Sequence, residues 1–499
     1  MNLLFRADAN SSIATGHVMR CLALAQAWKD DGGELTFATA EITPALTMRL
    51  IAEHATVCSV NAVAGSAEDA CQTVNLARCA NSEWVVIDGY QFTADYQNRI
   101  KQAGLKLLVI DDMGSVPHYY ADLVLNQNLH ATDRLYPSRE GYTRLLLGPR
   151  FSLLRREFRR WRGWKRSVSA DVRRIVLTMG GSDPDNVTSR FLACFAQGDF
   201  TSARVTVLIG GSNPRREELT KLFAKLHLDA DLITDADDMP SLLASADLAI
   251  SGAGTTCWEM CLLGLPSILV ELAPNQHEIG TELHDAGAAI FLGRSQDVAP
   301  ESVAKQLSLL IHSPEMRKQM SANGQRIVDG KGADRVLSFL KREIRLRRTR
   351  EDDCRMFWEW ANDPEVRAMS FCSEPVSWES HVGWFVTRQK DPSSLFYVAT
   401  DQDSRPVGQV RYQLERDRAV LSISISPELR GKGFGKTTLL AATEELFQDS
   451  CAKAIDAFVK PENRSSLRLF ESAGFKRQGL AQVHGQPAVH FVLAKNGAA

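Results

Sequence analysis

Ten cysteines are scattered through 499 residues without one C-x-x-C pair. That spacing indicates neither a zinc site nor a disulfide framework. No apolar run reaches the roughly 18 residues that a membrane span needs. No basic-then-apolar leader opens the chain, so a cytoplasmic location is expected and no membrane partner. Lys and Arg number 58 against 60 Asp and Glu, for a net charge of -2. Such a balance exerts no overall pull towards nucleic acid or anionic lipid. Residues 1–340 hold no histidine and carboxylate cluster of ligand spacing, so no metal is expected. What remains is ordinary globular composition, 44% hydrophobic and 24% charged. At roughly 100–200 residues per domain, the length suggests about three domains.

The most informative stretch comes first. Leu3-Leu-Phe5 reads as a short buried strand, a polar loop follows, and a helix begins near Gly16. Val18, Cys21, Leu22, Ala25 and Trp28 mark one face of that helix. Strand, loop and helix together place a ligand at the carboxyl end of a parallel strand. His17 therefore stands at a helix start, beside free backbone N–H groups that attract anions. Simple helix capping is the alternative for that residue. Residues 35–38, 84–88 and 105–110 read as further strands alternating with helices, which argues a mostly parallel sheet covered by helices. Polar residues close the strands: Asp88-Gly-Tyr90, Asp111-Asp112 and Asn126-Gln-Asn128. They are cleft candidates, with turn and cap formation as the competing explanation for each.

A second alternating block follows residue 173. One strand ends in Gly180-Gly-Ser-Asp183 and another in Gly210-Gly211. A third feeds Gly252-Ala-Gly254-Thr-Thr-Cys-Trp-Glu259, a glycine turn and then a helix. Glycine lets the backbone approach a phosphate, and the helix start supplies aligned N–H donors. Thr255, Thr256 and Glu259 share one helix face, where a carboxylate can accept bonds from ribose hydroxyls. It is not the G-x-G-x-x-G dinucleotide fingerprint, because residue 257 is Cys.

Two doubly wound domains in succession resemble the GT-B architecture, in which a nucleotide sugar lies between the halves. Phe5-Arg-Ala-Asp8, Gly16-His-Val-Met-Arg-Cys-Leu22, Leu123-Val-Leu-Asn-Gln127, Leu147-Gly-Pro149 and Glu271 followed by Asn275-Gln276 go further. Over residues 1–340 they are similar to the UDP-sugar hydrolases of pseudaminic acid biosynthesis. The resemblance implies inverting cleavage of the anomeric C–O bond of UDP-2,4-diacetamido-2,4,6-trideoxy-altropyranose. It assigns His17 as general base or water-positioning residue. It puts Arg6, Tyr90, Asn275 and Gln276 on the sugar, and Gly180, Gly254, Thr255, Thr256 and Glu259 on UDP. The residue types suit the chemistry: UDP is a good leaving group, and a neutral histidine can take a proton from water near pH 7.

Residues 345–350, Arg-Leu-Arg-Arg-Thr-Arg, alternate with period two and predict an exposed first strand of a third domain. No aromatic platforms accompany them, so no nucleic acid partner is expected. Leu421-Ser-Ile-Ser-Ile-Ser426 alternates cleanly and leads through Pro427 to Arg430-Gly-Lys-Gly433-Phe-Gly435-Lys436. Gly435-Lys-Thr437 is no Walker A ending, because its first glycine would fall at Arg430. From about 344 to 495 the sequence resembles the GCN5-related (GNAT) N-acetyltransferases. The resemblance implies that Ile423, Ile425, Arg430, Gly431, Gly433, Gly435 and Lys436 bind acetyl-CoA as co-substrate. It also places Asn463 and Ser466 at the acetyl end. Phe470 departs from the pattern, standing where many relatives carry the tyrosine that returns a proton to the CoA thiolate. Trp360 to Arg367, with Ser370-Phe371 and Trp378, looks like acetyltransferases acting on nucleotide-linked amino sugars, or on protein N-termini.

The expected architecture is therefore α/β: a GT-B-like pair of doubly wound Rossmann-type domains, 1–160 and 161–343, followed by a GNAT α+β domain with a mixed sheet, 344–499. The expected function is bifunctional, with N-acetylation of a UDP-4-amino sugar followed by release of UDP. The same motifs admit a GT-B glycosyltransferase with an appended acetyltransferase, a hydrolase for a legionaminic-type sugar, or a nucleotide-sugar-binding regulator. A homo-oligomer is compatible with all of them.

Overall fold

The structure is a computed structural model. It describes residues 2–9, 15–181, 183, 185–197, 203–210, 213, 215–226, 230–236, 238–341, 344–401 and 404–495. The loop 10–14 of the first motif lies outside these residues, as do Ser182, Pro184 and Gly211 of the second block. The chain forms two compact units, Met1–Leu340 and Lys341–Ala499. No helix among the described residues is long and apolar enough to cross a membrane.

The first unit contains two parallel sheets. In the first, β1 (Asn2–Ala7), β2 (Glu34–Thr39), β3 (Thr56–Ser59), β4 (Ser82–Asp88), β5 (Lys106–Ile110), β6 (Leu123–Asn126) and β7 (Arg144–Leu147) lie in the order 3-2-1-4-5-6-7. Leu4 of β1 stands opposite both Thr36 and Val85. The central strands are apolar almost without break because helices cover both faces. Leu3 and Phe5 point to the helix Gly16–Asp30, while Leu4 points to the opposite layer with Val74 and Ile100.

The second sheet holds β8 (Arg174–Thr178), β9 (Arg204–Ile209), β10 (Ala230–Thr234), β11 (Leu248–Gly252), β12 (Ser267–Glu271) and β13 (Ala289–Arg294), in the order 10-9-8-11-12-13. Phe191 and Leu307 cover one face, Trp258 and Leu283 the other. The chain then returns: Ala333, Val336, Phe339 and Leu340 of the helix Gly332–Leu340 are buried in the core of the first sheet, not the second. In each sheet the strand order reverses once, between β1 and β4 and between β8 and β11. Ligands of doubly wound sheets bind beyond the carboxyl ends of such strands.

The second unit is a mixed sheet of β14 (Arg345–Arg348), β15 (Ser394–Thr400), β16 (Pro406–Glu415), β17 (Arg418–Ile425), β18 (Ala454–Val459), β19 (Lys476–Val483) and β20 (Gln486–Ala494), ordered 14-15-16-17-18-20-19. The basic run is a strand, as its period suggests: β14 pairs antiparallel with β15. Arg347 there grips Asp353 through both terminal nitrogens, and Arg348 lies over the Tyr397 ring. Among the described residues the only parallel step, between β17 and β18, spans Arg418–Val420 against Ala454–Asp456. Residues 421–425 keep their pairing with β16 alone among the described strands.

Candidate active sites

Both reversal points of the first unit open on one cleft of about 700 Å³. His17, Arg20, Asp112 and Asn128 line it from the first sheet. Gly180, Gly254, Thr255, Thr256, Glu259, Asn275 and Gln276 line it from the second. The two sides approach closely at Gly181, where a Cβ would stand 2.6 Å from Thr15 Oγ1. A larger residue there would require the Thr15 side chain to move.

His17 is the second residue of its helix, and its Nδ1 lies 2.6 Å from Asp88 Oδ1 at the end of β4. Arg20 lies one turn further along the helix. Its Nε donates to Asp88 Oδ2 at 2.5 Å and its Nη2 to Oδ1 at 2.7 Å. Arg20 Nη1 donates to both oxygens of Asp112, at 2.8 and 2.9 Å. Burial alone would raise the Asp88 carboxyl; Arg20 and then His17 outweigh it and hold the group down to about 2. An ionised carboxylate only accepts, so the proton of the neutral imidazole sits on Nδ1. Nε2 is left as the acceptor, on a side chain that lines the cleft.

Tyr90 meets the His17 ring edge-on, with centroids 5.3 Å apart. Its hydroxyl donates to Asp112 Oδ2 at 3.2 Å and accepts from Asn275 Nδ2 at 2.8 Å, across the cleft. Burial and the nearby Asp112 push the phenol pKa up, so it stays neutral. Gln276 Oε1 accepts from the Leu272 amide at 3.0 Å. Glu259 accepts from Arg155 Nη2 at 2.8 Å, while its burial raises the carboxyl pKa. Among the described residues no group of three or more His, Cys, Asp or Glu side chains is placed to hold a metal ion.

Arg6 takes a different place from the one expected of a sugar contact. It alternates with Phe5 along β1, so its side chain runs into the layer opposite the helix of His17. There it is fully buried, with Nε and Nη2 on Asp69 at 2.9 and 2.8 Å and Nη1 on Asp8 at 2.6 Å. It does not line the cleft. The strand-end candidates divide in the same way. Asp88, Asp112 and Asn128 belong to the site, with Asn128 Nδ2 donating to Asp112 at 3.0 Å. Asp111 instead accepts from the Met113 and Gly114 amides and from Tyr119, which makes a turn. Asn126 holds the Tyr136 hydroxyl, whereas Gln127 lines the cleft while accepting from the Leu153 amide. Arg20 escaped sequence reasoning, although its spacing of three from His17 puts the two side chains on one helix face.

In the second unit, Gly431 and Gly433 have φ of 73° and 91°, and no atom lies within 4 Å of a Cβ built on either. Backbone conformation, not crowding, calls for glycine here. Gly433 caps the helix Phe434–Asp449, with Gly435 and Lys436 in its first turn. Arg430 is already engaged: its Nη1 reaches Asp363 at 2.8 Å and Glu365 at 2.9 Å, and its Nε donates to the Ile425 carbonyl at 3.2 Å. Ile423 and Ile425 lie on the stretch of β17 beyond its pairing with β18. Asn463 caps the helix Arg464–Ser472, its Oδ1 accepting from the Ser466 amide at 3.0 Å. Phe470 is core, edge-on to Phe475 at 5.0 Å and stacked with Phe491 at 5.7 Å.

The second sheet's side of the cleft and the site of the second unit fall in segments that match two family models. Residues 175–334 match the glycosyltransferase family 28 C-terminal domain, and residues 343–476 the acetyltransferase (GNAT) domain. The chain is an enzyme in which a GT-B-like pair of Rossmann-type halves precedes a GNAT domain. Its first unit is homologous to a UDP-sugar hydrolase: the UDP-2,4-diacetamido-2,4,6-trideoxy-beta-L-altropyranose hydrolase of Campylobacter jejuni subsp. jejuni is 26% identical over 289 residues, 58% of this chain and 97% of that one. The spore coat polysaccharide biosynthesis protein SpsG of Bacillus subtilis is 27% identical over 250 residues, 50% of this chain and 73% of that protein. An uncharacterized protein of Methanocaldococcus jannaschii, MJ1062, is 25% identical over 415 residues, covering 79% of this chain and 81% of its own length.

Proposed function

We propose that the chain is a cytoplasmic, bifunctional nucleotide-sugar enzyme of pseudaminic acid biosynthesis. The second unit acetylates the 4-amino group of a UDP-4-amino-4,6-dideoxy sugar with acetyl-CoA. The first unit then hydrolyses UDP-2,4-diacetamido-2,4,6-trideoxy-β-L-altropyranose to UDP and the free sugar. The observation that carries the hydrolytic half is the His17–Asp88 pair, which leaves Nε2 open on the cleft.

In that reaction a water molecule attacks the anomeric carbon from the face opposite UDP, and its proton passes to His17 Nε2. The anomeric C–O bond breaks, and its electron pair leaves on the β-phosphate oxygen. Asp88 keeps the imidazole in the required tautomer and stabilises the imidazolium that forms. Backbone donors at Gly180 and Gly254–Thr256 take the growing phosphate charge, so no second carboxylate acid is needed. Glu259 lies one turn further along, on the side of the ribose, and Tyr90, Asn275 and Gln276 hold the sugar.

In the second unit the N–H groups of residues 431–435 hold the CoA pyrophosphate, and the unpaired edge of β17 takes the pantetheine arm. The neutral amine attacks the thioester carbon, the C–S bond breaks with its electron pair leaving on the thiolate, and the nitrogen gives up its extra proton to water. Phe470 has no proton to return, so Ser466 or water supplies it.

The test follows a UDP-4-amino sugar by NMR with and without acetyl-CoA. N-acetylation should precede UDP release, and the free amine should be hydrolysed on the order of 10²-fold more slowly, because a protonated amine would stand where an amide belongs. Equal rates on both sugars would overturn the order. The family 28 match favours a second reading, glycosyl transfer. It would be established by an acceptor sugar that raises UDP release above the rate in water.

A further inference from the structure

One face of the sheet in the second unit carries a polar group that the acetyl-CoA site does not use. Arg411 stands opposite Phe396 on one side and Ser422 on the other, and Gln409 stands opposite Val398 and Ser424. Directly opposed residues of antiparallel strands share a face, so Gln409, Arg411, Ser422 and Ser424 project together. Gln409 and Arg411 belong to β16, and Ser422 and Ser424 to the stretch of β17 that has left β18.

Arg411 is flanked by Trp384, whose ring its guanidinium overlies at 5.2 Å. Its hydrogen bond is to a neutral hydroxyl, Nη2 to Ser422 Oγ at 2.9 Å. The next charge is another cation, Arg367, and burial together with that neighbour pulls the Arg411 pKa down to about 10. Arg367 in turn donates to the carbonyls of Cys372 and Glu374 and to Ser370 Oγ. Among the described residues neither guanidinium meets a carboxylate. Three further polar atoms here are buried without a partner: Arg367 Nε, Gln409 Oε1 and Ser424 Oγ. Gln409 is only 3% exposed. A guanidinium whose charged neighbour is another cation has no counter-charge, which lowers the stability of the fold, and buried polar atoms without partners do the same. A bound anion would supply the counter-charge, and an amine would bring the donor that Gln409 Oε1 lacks.

We propose that Arg411 and Arg367 form an anion subsite for the acetyl acceptor, binding its diphosphate, while Gln409 Oε1 and Ser424 Oγ receive its amine. The inference rests on the reading of this unit as an amine acetyltransferase and adds what it selects: an amine that carries phosphate. Gln409 and Arg411 are two residues apart on one strand, roughly 7 Å, which leaves room for one sugar ring between amine and phosphate.

The test compares two acceptors at fixed acetyl-CoA in the full chain: the UDP-4-amino sugar and the same amino sugar as its methyl glycoside. The wild type should prefer the UDP sugar. In Arg411→Gln the KM for the UDP sugar should rise on the order of 10²-fold, and the preference should vanish. The KM for acetyl-CoA should hold, which reports a folded domain. A preference kept in that variant overturns the subsite. If neither acceptor is acetylated, the acetyltransferase reading falls by itself. The subsite is then decided by phenylglyoxal labelling of Arg411, read by peptide mass spectrometry with and without inorganic pyrophosphate. Slower labelling with pyrophosphate supports the subsite, and unchanged labelling overturns it.

Discussion

Replacing Asp88 by Asn changes one atom and should disable the first unit without emptying it. Asp88 accepts from His17 Nδ1 and twice from Arg20. The amide keeps one oxygen, and Arg20 will claim it. Its NH2 then faces Nδ1, the imidazole proton moves to Nε2, and the base points its hydrogen at the water it should deprotonate. Loss of a positioned base costs about 10²–10⁴-fold, and a comparable tautomer swap in a serine protease costs on the order of 10⁴. Breaking one arm of a buried ion pair costs about 3–5 kcal/mol; Arg20 keeps Asp112, so about 3 is expected. The pH dependence has a definite sign. The Asp88 carboxyl is held below its ordinary 3.8, down to about 2. Its charge therefore contributes about 2 kcal/mol above pH 4, and this is lost as pH falls from about 4 towards 2. Steady-state UDP release, calorimetry of UDP binding and thermal melts at several pH values read the three effects separately. An Asp88→Asn protein that binds UDP and releases it from substrate within threefold of the wild-type rate would refute the tautomer argument.

Three further outcomes follow from the same geometry. His17→Ala should lower UDP release by about 10²–10⁴-fold while acetyl transfer survives, measured on one preparation with separate assays for UDP and CoA; hydrolysis kept in the folded variant would remove His17 from the reaction. Gly433→Asp places a side chain at φ 91°, a strain of about 1–2 kcal/mol, and brings a carboxylate to an anion-binding loop, so calorimetry should show acetyl-CoA binding lost with hydrolysis of the acetylated substrate intact. Phe339→Ala should destabilise the first unit by about 3–5 kcal/mol, because that 4% exposed ring packs against Phe151 at 6.1 Å; in calorimetric scans the melting of the first unit should fall and that of the second should not.

Local sequence carried much of this structure, because parallel strands and their loops announce themselves. The run 84–88 reads as a buried strand with a polar end, and β4 is Ser82–Asp88 with Asp88 beneath His17. The arginines at 345–350 alternate, and four of those residues form β14. What stayed hidden depends on contacts distant in sequence. Nothing near Arg6 tells that Asp69 waits 63 residues away to bury it. The helix Gly332–Leu340 has an apolar face like any other, and only the fold shows that it covers the first sheet. Asp111 and Asp112 are indistinguishable by type, yet one closes a turn and the other receives Arg20.

In the proposed hydrolysis, water held by His17 attacks carbon, not phosphorus. Hydrolysis of UDP-2,4-diacetamido-2,4,6-trideoxy-β-L-altropyranose in H₂¹⁸O separates the two directly. The ¹⁸O should appear at the anomeric carbon of the released sugar, whose first-formed anomer is inverted, and not in UDP. Label in the β-phosphate of UDP would contradict attack at carbon.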